Sequence, residues 1–195
     1  MPSPVAHALA GVATAWTADL IAPNKTGSPR RSKFDRFGGG LVVAAAFLGA
    51  SADLDLLVGL HRTATHSLGA AVMVLAGAGI AAARLKQPIG RTALVCGIAY
   101  ATHILLDWVG SDRAIPRGVM AFWPLDSTFY YAPIRLFPNV SRAYWLPLSF
   151  IYENTIALLC ELAVVGLPVW GLWLVRVKTL AGLPAEMSGR DHPPQ

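Results

Sequence analysis

Charged side chains are scarce in this chain. They make up 14% of its 195 residues, whereas soluble globular domains carry roughly 25%. Hydrophobic residues account for 54% of the chain, and the mean hydropathy is +0.49. This composition is not that of an ordinary soluble domain. It indicates a protein that lies mainly in the lipid bilayer.

Cysteine is scarce too. The two cysteines, Cys96 and Cys160, lie in separate apolar segments, which argues against a disulfide framework. We interpret both as small residues of the interior. The first apolar segment lacks a preceding basic stretch, and no cleavage-like polar stretch follows it promptly. A secretory signal peptide is therefore not expected.

Apolar segments of membrane-spanning length are abundant. A spanning helix needs about 17–25 residues, and five segments qualify, at residues 5–22, 39–60, 67–84, 91–109 and 154–176. Their many Ala and Gly residues suit helices that pack closely in lipid. We predict an all-α fold: a polytopic membrane helical bundle of about five transmembrane helices. A single domain would cover residues 1–183, with a flexible tail at 184–195.

The basic residues predict an orientation, because short cytoplasmic loops are enriched in Lys and Arg. They cluster in the loop 24–37, between the third and fourth segments, and after the fifth: Lys25, Arg30, Arg31, Lys33, Arg36, Arg84, Lys86, Arg91, Arg176 and Lys178. We therefore expect a multi-pass inner-membrane protein with its N-terminus outside and its C-terminus inside. This topology explains the pI of 9.6 without a nucleic-acid partner.

Ionisable residues gather at one level of this predicted bundle. Four elements contribute them at their extracytoplasmic ends: His7, Asp53, Asp55, His61, Arg62, His66, His103 and Asp107. Asp19 is twelve residues beyond His7, roughly 18 Å along a helix, and is left out. Ionisable residues near membrane helices are candidates for function, since burying them is expensive. Singly, each has an ordinary alternative: a hydrogen-bonded core histidine, a solvated helix end, or an arginine anchored at the interface.

The spacing of these residues favours a divalent metal. His103 and Asp107 share one helix face, whereas Asp53 and Asp55 converge only if their helix ends irregularly. The turn "HRTATH" carries two histidines, and in "THS" at its end Thr65 or Ser67 can cap the third helix. Mixed His and Asp ligands suit Zn²⁺, Mn²⁺ or Fe²⁺ better than Mg²⁺ or Ca²⁺. We predict one or two ions, zinc first, held by His7, Asp53, Asp55, His66, His103 and Asp107.

The stretch from 110 to 153 is rich in aromatic residues and prolines. Prolines at 116, 124, 133, 138 and 147 exclude one continuous helix, and Trp and Tyr concentrate at membrane interfaces. We expect an outer-face structure on the bilayer, either a lid over the site or a plain connector. In the helix that follows, Glu153 is a candidate extra ligand or base, and Glu161 a buried hydrogen-bonding group.

The order H…DLD…HRxxxHS…HxxxD…WP, from His7 to "WPL" at 123–125, resembles the YdjM/YbcI-like family of membrane-bound metal-dependent hydrolases. The pieces "HRTATHSL" and "HILLDW" carry the resemblance. A more distant similarity is to zinc-dependent phospholipase C and related nucleases. Those enzymes have later ligands, including a His-xxx-Glu helix. Here Ser149 stands four residues before Glu153 and the only late histidine is His192, so the similarity does not extend to a third metal.

The resemblance implies a metal-dependent hydrolase. Because a site at the outer ends of the helices meets lipid headgroups, we expect it to cleave a phosphoester or diphosphate of a lipid-like substrate at the outer membrane face, with water activated by metal. Arg62 is placed to meet a phosphate oxygen, and Asp55 and His61 are the other catalytic candidates. Two other functions remain open: transport of a divalent metal or protons, and a non-catalytic protein with a structural metal. The substrate and the oligomeric state are not determined by the sequence.

Overall fold

The computed structural model describes residues 1–22, 34, 37–59, 61–111, 115–141 and 144–181. Within these ranges the chain is all-α apart from two isolated β-bridges, which confirms the predicted fold class. The charged residues of the basic loop 24–37, Asp112, and the predicted flexible tail at 184–195 lie outside the described residues.

The described part of the chain contains six α-helices. They are α1 (Pro4–Ile21), α2 (Gly39–Ser51), α3 (Leu68–Arg84), α4 (Ile89–Trp108), α5 (Pro147–Glu161) and α6 (Leu167–Ala181). A 3₁₀-helix, Ala52–Val58, continues α2, and a second one covers Ala64–His66. A π-helical turn, Leu162–Gly166, joins α5 to α6.

The helix boundaries follow local signals. Proline stands in the first turn of α1 and of α5, where its missing N–H costs nothing. The Ser67 hydroxyl accepts a hydrogen bond from the Ala70 N–H and caps α3, as the sequence predicted. Gly59 ends the first 3₁₀-helix with φ 72°. The fifth apolar helix begins at Pro147 rather than at residue 154, so the prediction started it too late.

Three helical stretches in the described ranges are long and apolar enough to cross a membrane: Gly39–Leu57, Ile89–Trp108 and Pro147–Thr179. Leu68–Arg84 is apolar but shorter. The last stretch has 33 residues, about 50 Å of helix, which exceeds the roughly 30 Å of a hydrocarbon core. These features are those of a membrane protein, and the count of five spans remains a prediction.

Small residues let α1 and α2 approach backbone to backbone. A Cβ on Gly11 would lie 2.1 Å from the Ala45 carbonyl oxygen, and one on Gly49 would lie 2.5 Å from the His7 carbonyl oxygen. Helices in lipid associate through such small residues because they lack a hydrophobic driving force. α4 packs against α1, α2 and α3, so the close pair and α4 together form the centre of the bundle.

α1 and α6 run parallel. At one end, the Ser3 N–H donates to Glu161 Oε1 over 2.7 Å, and the Ser3 hydroxyl donates to Oε2. At the other end, Arg176 Nε donates to Asp19 Oδ2 over 2.8 Å. Asp19 thus lies at the opposite end of α1 from His7, as predicted, and α5 extends beyond the N-terminus of α1.

Candidate metal centre

The predicted site residues meet at one end of the bundle. α1 contributes His7 in its first turn, the 3₁₀-helix contributes Asp53 and Asp55, and the last turns of α4 contribute His103 and Asp107. The connection between α2 and α3 contributes His61, Arg62 and His66. His7, His66 and His103 are fully buried, and Asp107 is 4% exposed. The convergence expected from four separate segments is therefore present in the structure.

Four side chains point one atom each at a common centre. His66 Nε2 lies 3.1 Å from His103 Nε2 and 3.3 Å from Asp107 Oδ2. His103 Nε2 lies 3.4 Å from the same Asp107 oxygen. Asp53 Oδ1 lies 3.6 Å from each of the two imidazole nitrogens. We call Asp53, His66, His103 and Asp107 the central cluster.

These spacings fit a tetrahedral ion. Bonds of about 2.0–2.1 Å to a zinc ion place neighbouring ligand atoms about 3.3–3.4 Å apart. Five of the six distances within the central cluster run from 3.1 to 3.6 Å, and the sixth, between Asp53 and Asp107, is within 4.8 Å. Two imidazoles and two carboxylates also form a donor set that zinc, manganese and iron accept. The residues present therefore fit the metal that the sequence predicted.

Hydrogen bonds on the far side of each ring turn the two imidazoles toward this centre. His103 Nδ1 donates to the Gly49 carbonyl oxygen over 2.8 Å. His66 Nδ1 lies 3.1 Å from Asp55 Oδ2. A carbonyl or a carboxylate only accepts, so the proton of each neutral ring is on Nδ1 and the lone pair is on Nε2. Such partners orient metal-binding histidines and raise their basicity.

Several buried atoms around the centre lack a well-formed hydrogen bond within the described part of the chain. They are both nitrogens of His7, Oδ1 of Asp53 and both carboxylate oxygens of Asp107. Buried polar groups in proteins are almost always satisfied, and an exception calls for an explanation such as an ion. A cation among Asp53, Asp107 and the imidazoles satisfies the carboxylates at once.

His7 approaches the cluster from α1. Its ring stacks on His103 with the centroids 3.7 Å apart, and its Nε2 lies 3.3 Å from Asp107 Oδ1. Asp107 thus turns one oxygen toward His7 and the other toward His66 and His103. His7 can orient this carboxylate or share it with an ion, so its predicted role as a ligand stays a prediction.

Asp55, His61 and His66 form a second group next to the first. His61 Nδ1 lies 2.9 Å from Asp55 Oδ1, while Asp55 Oδ2 accepts hydrogen bonds from the Thr65 hydroxyl and from the Arg62 backbone N–H at 3.2 Å. The 3₁₀-helix supplies the irregular geometry that the DLD motif needed. It puts Asp53 and Asp55 on opposite nitrogens of the His66 ring.

The pKa values of the two loop histidines, His61 and His66, shift in opposite directions. Burial lowers the pKa of His66, but hydrogen bonds to Asp107, Asp53 and Asp55 outweigh burial and raise the pKa to about 10. The three carboxylates thus draw positive charge to this point, which a bound cation also supplies. For His61, burial prevails over the hydrogen bond to Asp55 and lowers the pKa. His61 is therefore neutral at pH 7.

Three other acidic residues discussed in the sequence analysis lie outside the two ligand groups. Asp19 bridges Arg91 and Arg176 at the far end of the bundle. Glu161 binds the N-terminus of α1. Glu153 lies eight residues before Glu161, about 12 Å further out along the helix, and does not belong to either ligand group among the described residues. The Gly49 carbonyl, which accepts from His103 Nδ1, was not predicted from the sequence.

The aromatic and proline-rich segment covers this end of the bundle. Met120 N–H donates to the Arg62 carbonyl over 3.2 Å, and Leu68 N–H donates to Ala121 over 2.8 Å. Further along, Ala132 N–H and Leu136 N–H donate to the carbonyls of Trp108 and Val109, each over 2.9 Å. We call residues 115–141 the cap. Its hydrogen bonds to both sides of the site favour the lid interpretation over a plain connector.

Comparison with known proteins identifies one family. The family described as YdjM inner membrane protein matches residues 1–179, which cover the central cluster and the cap. No curated protein and no solved structure matches the chain.

Proposed function

The chain belongs to the YdjM inner membrane protein family, and from this premise we propose that it is a membrane-embedded metal-dependent hydrolase. Its substrate would be a phosphoester or diphosphate on a lipid-like molecule. The observation that carries the proposal is the central cluster, where two oriented imidazoles, the buried Asp107 and the half-buried Asp53 face one point, and the carboxylate oxygens there lack a well-formed hydrogen bond among the described residues.

Asp53, His66, His103 and Asp107 would hold the ion, with Asp55 and His7 as candidates for a second one. A divalent ion bound there would act as a Lewis acid toward a phosphoryl oxygen and lower the pKa of water. Gly49 and Asp55 keep the imidazoles in the orientation that binding requires.

His61 is suited to move a proton. Asp55 holds its Nδ1, so the lone pair is on Nε2, which lies 3.0 Å from Met1 Sδ. Its side chain is 12% exposed, unlike the buried rings of the central cluster. The lowered pKa of His61 keeps it ready to accept a proton at neutral pH. This supports the predicted catalytic role of His61 and gives Asp55 the role of fixing its tautomer.

An apolar groove supports a substrate with a hydrocarbon tail. It has a volume of about 900 Å³ and lies between α1, α4 and α6. Its wall includes Ala10, one turn below His7, and Leu106, the neighbour of Asp107. A lipid whose phosphate reaches the cluster can therefore place its tail along this groove. A soluble phosphoester would have no use for such a surface.

A structural metal is the second candidate, because the full burial of three histidines is typical of closed structural sites. The position of the cluster at one end of the bundle speaks against transport, whose sites usually lie near the bilayer midplane. A hydrolase turns over a substrate, whereas a structural metal site does not, so a measurement of turnover distinguishes the two.

The test combines metal content with turnover. We expect detergent-purified protein to contain zinc and to hydrolyse at least one member of a panel of lipid phosphomonoesters, diphosphates and phosphodiesters. His66→Ala, His103→Ala, Asp53→Asn and Asp107→Asn should each weaken metal binding more than about 100-fold, since loss of a supporting group alone costs 10–100-fold. Asp126 is a half-buried aspartate of the cap whose carboxylate accepts hydrogen bonds from Thr128 and Tyr130. Asp126→Asn is the matched control and should keep metal and turnover.

Two results would contradict the proposal. Folded wild-type protein that takes up no metal would reduce the cluster to a polar network between helices. Metal-loaded protein that turns over nothing in the panel, but unfolds when a chelator is added, would favour the structural site. About two ions per chain would indicate that Asp55 or His7 contributes to a second site.

A further inference from the structure

A small pocket opens beside the central cluster on the side of the cap. Asp107 forms part of its wall, and three arginines surround it: Arg62 from the loop, and Arg117 and Arg135 from the cap. Tyr131 and the backbone of Gly118 complete this side. Arg117 and Arg135 are 55 and 73 residues beyond Arg62 in sequence, so the path of the cap alone brings the three together.

The backbone explains how the cap delivers its two arginines. Val119 and Tyr130 exchange N–H···O bonds of 2.9 and 2.8 Å, which places Arg117 beside residues 130–135. Gly118 has φ 93°, and a Cβ there would lie 2.2 Å from the Tyr130 carbonyl oxygen. The hydrogen bond from Leu136 N–H to the Val109 carbonyl then fixes Arg135 just past Asp107.

The pocket is strongly cationic. Three arginines and one carboxylate, Asp107, are among the described residues that line it. Asp107 directs its oxygens to His7, His66 and His103. Guanidinium groups bind phosphate by two parallel hydrogen bonds each. Arg62 is itself 7% exposed, which places one of these charges inside the protein.

The interior of the pocket has a volume of about 10 Å³, and Arg117 and Arg135 are exposed at its mouth. We propose that Arg62, Arg117 and Arg135 form an anion site at this mouth for a terminal phosphate or a diphosphate. The inference rests on the proposed function and narrows its substrate. A phosphodiester carries one negative charge, whereas a phosphomonoester or a diphosphate carries two or more and matches three guanidiniums better. The substrate is therefore a phosphomonoester or diphosphate, and because the pocket shares Asp107 with the central cluster, a phosphate held there lies next to the cluster.

The pocket can be tested by binding, independently of turnover. Calorimetry on metal-loaded, detergent-purified protein would use inorganic diphosphate as the soluble probe. Nanodiscs containing phosphatidic acid, compared with phosphatidylcholine nanodiscs, would present a phosphomonoester and a phosphodiester on lipid. Arg117→Gln and Arg135→Gln should each weaken diphosphate or phosphatidic acid binding at least about tenfold, since a hydrogen bond to a charged group contributes about 1.5–3 kcal/mol.

Arg84→Gln, an exposed change at the opposite end of the bundle, is the control and should bind like wild type. Arg117→Lys and Arg135→Lys should recover binding only in part, because lysine lacks the fork. All variants should keep their metal content, which shows that the cap is folded. Tighter binding to phosphatidic acid than to diphosphate identifies a lipid as the source of the phosphate, and comparable binding identifies a soluble one.

Three results would overturn the pocket: wild-type protein that binds neither probe, arginine variants that bind like wild type, or equal binding of phosphatidic acid and phosphatidylcholine. The proposed function can fail separately. Arginine-dependent binding without any turnover would leave the pocket in place and remove the hydrolase. Metal-dependent turnover that Arg117→Gln and Arg135→Gln do not change would support the hydrolase and remove the pocket.

Discussion

At the scale of single residues, His66 links the two halves of the site. Its Nε2 faces the central cluster, while its Nδ1 faces Asp55, which also holds His61. Two aspartates only two positions apart, Asp53 and Asp55, therefore have different tasks. Asp53 presents an oxygen to the proposed ion, and Asp55 sets the orientation of two imidazoles.

These different roles of Asp53 and Asp55 predict that the same substitution, Asp to Asn, weakens zinc binding by different amounts at the two positions. Asp55→Asn should weaken zinc binding about 10–100-fold, the range for a group that orients a ligand, whereas Asp53→Asn should weaken it further. A competitive titration with a zinc chelator measures both. Equal losses, or a fall from two ions to one per chain in Asp55→Asn, would mean that Asp55 binds an ion directly.

The sequence revealed the ligand types but not all of their partners. Spacing was enough for His103 and Asp107, because i and i+4 share a face wherever the helix goes. It could not reveal the Gly49 carbonyl, since every residue has one and only packing selects it. Nor could it group Arg117 and Arg135 with Arg62, because the irregular cap has no period from which to read their direction.

At the scale of elements, the contact of α1 with α2 sets the geometry of the site. A Cβ on Gly49 would lie 2.5 Å from the His7 carbonyl oxygen, and the Gly49 carbonyl accepts a hydrogen bond from His103 Nδ1. A side chain at this position separates α1 from α2 and displaces His7 and His103 together. Apolar segments predicted both helices, but they did not predict which glycine the contact depends on.

Gly49→Ala should therefore lower stability by about 1–3 kcal/mol, the usual cost of overpacking, and weaken metal binding. Gly77→Ala is its control: the site for a Cβ there is open, and the change should stabilise α3 by about 0.4–1 kcal/mol. Thermal unfolding with and without zinc compares the two. The packing argument fails if Gly49→Ala melts and binds zinc like wild type.

The cap is also an element of the fold and not an appendage. Val119 and Phe137 are each 1% exposed, so deletion of residues 112–150 would remove part of the core. We therefore expect such a deletion to lose bound metal through unfolding, whether or not the cap supplies ligands. Its role in turnover is better tested by the single arginine changes described above.

At the scale of the whole molecule, the two ends of the bundle differ in charge chemistry. One end carries the central cluster under the cap. The other carries Asp19 between Arg91 and Arg176, with Arg176 also 5.8 Å from the ring centroid of Trp16. Arg84, Lys86 and Lys178 lie toward this same end. A basic end of this kind is expected on the cytoplasmic side of an inner membrane.

This asymmetry leads to a prediction of orientation, with the cluster and cap outside. Single cysteines at positions 86 and 125 would be introduced into a chain in which Cys96 and Cys160 are replaced by alanine. Leu125 is 94% exposed on the cap, so an impermeant thiol reagent should label position 125 in intact cells. Position 86 should react only after the cells are opened, because the basic loop holds it in the cytoplasm. The reverse pattern would place the cluster on the cytoplasmic side and direct the search for a substrate to the inner leaflet.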